Sequence, residues 1–161
     1  MPPTSKVSKK QPETIEGLRS EGYRFAIVAG RFNQEIVDRL LEGALSALEK
    51  TGTRRDAVEV VRVPGAFELP LAAQRLAKNC DGVIALGCVI RGETPHFEYV
   101  SQAATHGLER VSLDSGIPIG FGVLTTHNVE QALERAGGGI GNRGYDAAMA
   151  VIEMVQSLRG L

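Results

Sequence analysis

The strongest constraint on the fold is a repeated switch in hydrophobic period. RFAIVAG (24–30), AVEVVRV (57–63), GVIALGCVI (82–90) and IGFGVLT (119–125) are short, nearly continuous apolar runs. That is the pattern of strands covered on both faces. Between them, apolar residues recur at helical spacing. Ile36, Val37, Leu40, Leu41, Ala44, Leu45 and Leu48 mark one face of a helix after Asn33, which stands where an N-cap belongs. Pro70 suits a first helical turn, and Asn79–Gly82 supplies the stop. Phe97, Val100, Ala104, Leu108 and Val111 form a third stripe, and Asn128 with Gln131 resembles a capping pair for a short helix ending near Gly137. Ala148, Val151, Ile152, Val155 and Leu158 define a last helix. Strands alternating with helices predict a parallel sheet between two helical layers, an α/β sandwich. Ligands in such sheets bind at the carboxyl ends of the strands. The loops to read are therefore 30–34, 64–69, 88–96 and 121–128.

With 161 residues the chain is long enough for one domain with a real apolar core. A formal charge of −1 and the absence of Lys/Arg blocks interleaved with aromatics argue against nucleic acid. No run approaches the roughly 20 apolar residues of a membrane span. Cys80 and Cys88 flank a strand without metal-type spacing, which predicts free thiols, no metal and a cytoplasmic setting. Residues 1–12 lack an apolar signal core and read as a flexible tail before a domain spanning 13–161.

The loop GCVIRGETPHFEYV (87–100) carries the most chemistry. An apolar run ends in a glycine-containing turn, and a helix pattern starts at His96. Free N–H groups of a helix start, the Thr94 hydroxyl and an imidazole able to exchange protons near neutral pH gather at one spot. The arrangement suits an anion held while protons move. Phe32, just past the first strand, either stacks on a flat heterocycle or packs on its own helix as a staple. Glu68 either accepts hydrogen bonds from hydroxyls or is a solvated charge near a helix start. His106 and His127 read as solvated, and Cys88 as a small core residue. Arg135 sits near a helix C-terminus, where the dipole favours it. Arg143 sits near a helix start, where the dipole does not. Gly139–Gly144 matches GxGxxG in letters but follows a helix pattern instead of the first strand, so it is no dinucleotide fingerprint.

The ordered set RFN (31–33), VPGAFELP (63–70), GCVIRGETPHFEYV (87–100), GVLTT (122–126), ERAG (134–137) and GNRG (141–144) resembles the lumazine synthase family, from about Tyr23 to the end. The resemblance implies a flavodoxin-like sheet of order 2-1-3-4, with an N-terminal segment pairing with a neighbouring subunit. It implies condensation of 5-amino-6-(D-ribitylamino)pyrimidine-2,4-dione with 3,4-dihydroxy-2-butanone 4-phosphate, without metal or organic cofactor. His96 would be the proton shuttle. Phe32 would stack on the pyrimidine, and Ala66, Phe67 and Glu68 would hold the ribityl chain. Val89 and Ile90 would meet the pyrimidine edge, while Gly92, Glu93, Thr94 and Arg135 would bind phosphate. Phe121 and Arg143 would complete the pocket from an adjoining subunit.

Two positions depart from the family's usual pattern. Arg143 stands where lysine is common, and Gly122 where a larger polar residue often follows the phenylalanine. The resemblance also implies a homopentamer, and the short Gly-rich link Ala136–Asn142 is of the type that accompanies a 60-subunit icosahedral shell. Riboflavin synthase is the implied protein partner. Three other readings share features of this chain: a flavodoxin-like flavin binder, a shell-building protein with vestigial catalysis, and an archaeal-type riboflavin synthase. The first wants a phosphate loop after strand one, where Arg31–Phe32–Asn33 is a poor one.

Overall fold

Along the first strand every residue is buried, and successive side chains enter two different cores. The computed structural model describes residues 16–161. Its elements are β1 (Phe25–Gly30), α1 (Gln34–Thr51), β2 (Glu59–Val63), α2 (Leu69–Leu76), β3 (Gly82–Ile90), α3 (His96–Ser115), β4 (Ile119–Thr126), α4 (Val129–Arg135), β5 (Ala136–Gly138), β6 (Gly141–Asn142) and α5 (Arg143–Leu158). β1 to β4 form an all-parallel sheet of order β2-β1-β3-β4. Phe25, Ile27, Ala29, Ile84, Leu86 and Cys88 face a core shared with α1, α4 and α5. Ala26, Val28, Val83, Ala85 and Val123 face the other, shared with α2 and α3. The uninterrupted apolar runs are thus explained: both faces of the central strands are covered. The chain leaves β1 for β2 on one side and returns to β3 on the other, so the sheet order reverses beside β1 and opens a crevice at the strands' carboxyl ends.

Local signals set the element ends. α1 stops at Gly52, whose positive φ of 117° lets its N–H reach the Glu49 and Leu48 carbonyls. The capping pair forms as read: Asn128 Oδ1 accepts from the Gln131 N–H at 2.8 Å, and Gln131 Oε1 accepts from the His127 N–H at 2.9 Å. Asn142 caps α5 by accepting from the Gly144 and Tyr145 N–H groups, and its amide donates to the Arg39 carbonyl of α1 at 2.9 Å. At this crossing α1 and α5 touch backbone to backbone, because a Cβ on Gly144 would overlap the Leu40 carbonyl.

Two expectations are corrected, and the Gly-rich link has a definite structure. β2 begins at Glu59 instead of residue 57. Arg55–Ala57 winds into a 3₁₀ turn, with Arg55 donating to Glu42 at 2.6 and 2.9 Å and to Glu49 at 2.6 Å. The guanidinium holds the Glu42 carboxyl below the usual carboxylate range. The Gly-rich link is not bare loop, since β5 and β6 pair as a small antiparallel hairpin. Asn33 occupies the cap position of α1 without capping it, as described below. The expected tail (1–12) and the pairing of an N-terminal segment with a neighbour fall outside the described residues. Among those described, Ser20 is pinned beneath the end of α1: its hydroxyl donates to the Leu48 carbonyl at 3.0 Å and accepts from Thr51 and Thr53.

Candidate active site

The site grows from three loops knitted together at the carboxyl edge of the sheet. Past the last β1–β2 rung, the Arg31 N–H donates to the Val63 carbonyl at 2.8 Å and the Phe32 N–H to the Pro64 carbonyl at 3.0 Å. The chain then turns sharply at Asn33, whose backbone is left-handed (φ 57°, ψ 45°), a conformation asparagine tolerates better than most residues. Its side chain makes no cap bond. Instead Nδ2 donates to the Cys88 carbonyl at 3.0 Å, binding the first loop to the end of β3. The turn leaves Phe32 72% exposed, so it is not a staple on its own helix.

After β2, Pro64–Gly65 leads into a 3₁₀ turn, Ala66–Glu68, that merges with α2. Ala66 is buried, whereas Phe67 is 64% exposed and Glu68 is also turned outward. After β3, residues 91–95 cross to α3, which starts at His96 with no side-chain cap. The free N–H groups of that first turn carry the positive end of the helix dipole.

These loops enclose a cavity of about 780 Å³, within the range of small-molecule sites. Phe32, Ala66, Phe67, Glu68, Val89, Ile90, Gly92, Thr94 and His96, all anticipated from the sequence, line it together. Glu93 is exposed on the same loop but does not line the cavity. Tyr99, Phe97, Val100, Pro64, Gly65 and Cys88 also line it. Tyr99 was legible in principle, since it stands one helical turn after His96. Phe97 and Val100, part of the apolar stripe of α3, reach the cavity as well.

Three anticipated residues lie elsewhere in the chain. Phe121, half exposed on β4, faces a separate groove of about 370 Å³ formed with Leu113, Ile117, Val151 and Met154. Arg135, at the end of α4, donates to the Gln131 carbonyl at 2.9 Å and lies 3.5 Å from Glu134 Oε2. It does not line the cavity, although the resemblance groups it with the loop at 92–94. Arg143 begins α5 and donates to Asp146 at 3.1 Å, an acidic neighbour that offsets the unfavourable dipole. The segment matching GxGxxG runs through the β5–β6 hairpin into α5, away from the first strand.

The surroundings also decide what Cys88 can do. Burial pushes its thiol up to about 11, so it stays protonated and is no nucleophile near neutral pH. Among the described residues, no three His, Cys, Asp or Glu side chains cluster so as to hold a metal ion. No helix among them is long and apolar enough to cross a membrane. What remains is a pocket with an exposed aromatic face, a carboxylate, an uncapped helix start and one imidazole. It can orient a ring and a hydroxylated chain beside an anion and exchange protons with them.

Fold and site together define a flavodoxin-like α/β enzyme domain whose ligand cavity opens at the switch point of a parallel sheet. The sequence profile of the 6,7-dimethyl-8-ribityllumazine synthase family matches residues 22–159. A 6,7-dimethyl-8-ribityllumazine synthase of Nitratidesulfovibrio vulgaris (strain DSM 19637 / Miyazaki F) is 54% identical over 152 residues, covering 92% of this chain and 97% of the relative. Those of Syntrophus aciditrophicus (strain SB) and Desulfatibacillum aliphaticivorans are each 55% identical, covering 92% and 89% of this chain and 98% and 95% of theirs. The chain belongs to the 6,7-dimethyl-8-ribityllumazine synthase family.

Proposed function

We propose that the protein condenses 5-amino-6-(D-ribitylamino)pyrimidine-2,4-dione with 3,4-dihydroxy-2-butanone 4-phosphate to 6,7-dimethyl-8-ribityllumazine, the penultimate step of riboflavin biosynthesis. The observation that carries this is the convergence of Phe32, the 66–68 turn, the ends of β3 and His96 on one cavity, in a chain more than half identical to enzymes of that name. The pyrimidine's 5-amino group attacks the ketone carbon, and loss of water gives an imine. A proton leaves the carbon next to the imine, and the electron pair expels phosphate from its neighbour. The enol left behind takes up a proton on its terminal carbon and becomes a ketone, which the ribitylamino nitrogen attacks, and loss of a second water closes the ring.

In this reading Phe32 stacks on the pyrimidine, whose edge meets the backbone of Val89 and Ile90. Ala66, Phe67 and Glu68 hold the ribityl chain, Glu68 accepting from its hydroxyls. Gly92, Glu93 and Thr94 receive the phosphate at the start of α3, where N–H groups and dipole favour an anion. His96 carries protons between amine, ketone oxygen and departing water. Catalysis needs no cofactor. Holding both reactants in one pocket is worth as much as ~7–11 kcal/mol in well-oriented systems.

The positions of Phe121, Arg135 and Arg143 outside the cavity support a composite site. A second copy would present Phe121 and Arg143 to the ring and ribityl chain, and Arg135 to the phosphate. Residues 13–161 would act as one synthase domain within a cytoplasmic homopentamer, twelve of which form a 60-subunit shell, with riboflavin synthase taking the product. Light scattering showing only a pentamer-sized particle would overturn the shell. The catalytic reading is tested by mixing purified protein with both substrates and following the lumazine absorbance. The expected result is a rate well above the spontaneous reaction; the background rate alone would refute it.

A further inference from the structure

Arg91 has no place in the roles above, yet the anion loop hangs on it. As the first residue after β3, it donates its backbone N–H to the Thr126 carbonyl at 2.9 Å, continuing the β3–β4 ladder past the Ile90–Thr126 rung. Its side chain reaches across to the first turn of α3. There Nη2 donates to Glu98 Oε1 at 2.5 Å, and the guanidinium carbon lies 4.9 Å from the centre of the Phe97 ring. Phe97 and Glu98 directly follow His96. The intervening residues, Gly92–Pro95, are exposed, and among the described residues none makes a side-chain hydrogen bond. The other carboxylate oxygen of Glu98, Oε2, is buried and has no partner among the described residues, so Arg91 supplies the hydrogen bond this carboxylate receives.

We propose that Arg91 is a positioning residue, a strap that ties the end of β3 to the first turn of α3 and so fixes the 92–94 anion loop and His96 relative to one another. The proposal rests on the reading of the site given above. The planar guanidinium suits the task, since it pairs with the carboxylate and lies against the aromatic ring at once, which an ammonium does not reproduce. With half-exposed partners the contact adds little to global stability. Its effect falls on geometry, where small displacements of reacting groups are costly.

The test compares Arg91→Met, Glu98→Gln, the double variant and Arg91→Lys. Each single change is expected to lower kcat/KM for the butanone phosphate by roughly tenfold, with the KM for the pyrimidine held within about twofold. The double variant should be no worse than either single one, because each abolishes the same ion pair. Arg91→Lys should recover part of the loss, and melting temperatures should stay near that of the unaltered protein. Hydrogen exchange of the 92–97 amides gives a readout independent of turnover, and it should quicken in Arg91→Met and Glu98→Gln alike. The strap is overturned if exchange is unchanged, if losses follow the melting temperature, or if only Arg91→Met raises the KM for the butanone phosphate. The last result would make Arg91 a direct phosphate ligand. Failure of the unaltered protein to form lumazine would count against the proposed function; the exchange experiment would still decide the strap.

Discussion

Replacing Asn33 separates two effects that the structure places on one residue. Its amide extends the bonding between β1 and β3 beyond their last rung, Ala29–Leu86, to the Cys88 carbonyl at 3.0 Å. Its backbone also occupies the left-handed region, at φ 57°. Asn33→Ala leaves a partly buried carbonyl without its donor, which costs about 1–3 kcal/mol. It also places an ordinary side chain where the left-handed backbone costs roughly 1–2 kcal/mol, so the sum is about 2–4 kcal/mol once asparagine's own smaller strain is discounted. Asn33→Gly loses the same hydrogen bond but relieves the strain, at the expense of about 0.4–1 kcal/mol of unfolded-chain entropy. It should therefore be the milder change by roughly 1 kcal/mol. Urea unfolding of both variants measures these values, and the KM for the pyrimidine should rise in both because Phe32 is no longer held against β3. Equal destabilisation would refute the backbone argument. Wild-type stability and KM in both variants would refute the bridge itself.

Three other outcomes are expected. His96→Ala should slow turnover by roughly 10²–10⁴-fold and leave a residue of activity from positioning; full turnover in a stopped-flow assay would remove His96 from its role. Cys88, whose thiol is raised to about 11 by burial, should resist iodoacetamide at pH 8 and become reactive only as pH rises toward that value, because the thiolate is the reactive form. Rapid labelling of Cys88 at pH 8, located by peptide mass spectrometry, would contradict this. If the site is shared between copies, His96→Ala and Arg135→Ala chains refolded together should recover activity well above that of either alone. No recovery in verified mixed assemblies would place Arg135 outside the site.

The sequence made the sheet and the three loops legible for physical reasons. Central strands buried on both faces cannot carry polar residues, so β1 and β3 announce themselves, and the chemistry-bearing residues then stand out at the strand ends. β2 was blurred at its start because it is an edge strand: Glu59 and Val60 are exposed, and nothing in the pattern distinguishes residue 57 from the strand. Asn33 looked like a cap because it has a cap's residue type and position. Its actual partner, Cys88, lies 55 residues away, and local sequence carries no trace of it. The β5–β6 hairpin escaped notice because glycines leave no alternating side chains to read. Arg135 joins the 92–94 loop through the family resemblance alone, since linear order carries no signal for where the end of α4 lies relative to that loop.

The most direct test is a structure with a non-reactive ribityl-pyrimidine analogue bound. The ring should lie against Phe32 with its edge on Val89 and Ile90, the polyol at Phe67 and Glu68, and His96 within reach of the reacting nitrogen. Density for the ligand in the Phe121–Met154 groove, or anywhere other than the cavity at the carboxyl edge of the sheet, would contradict the account.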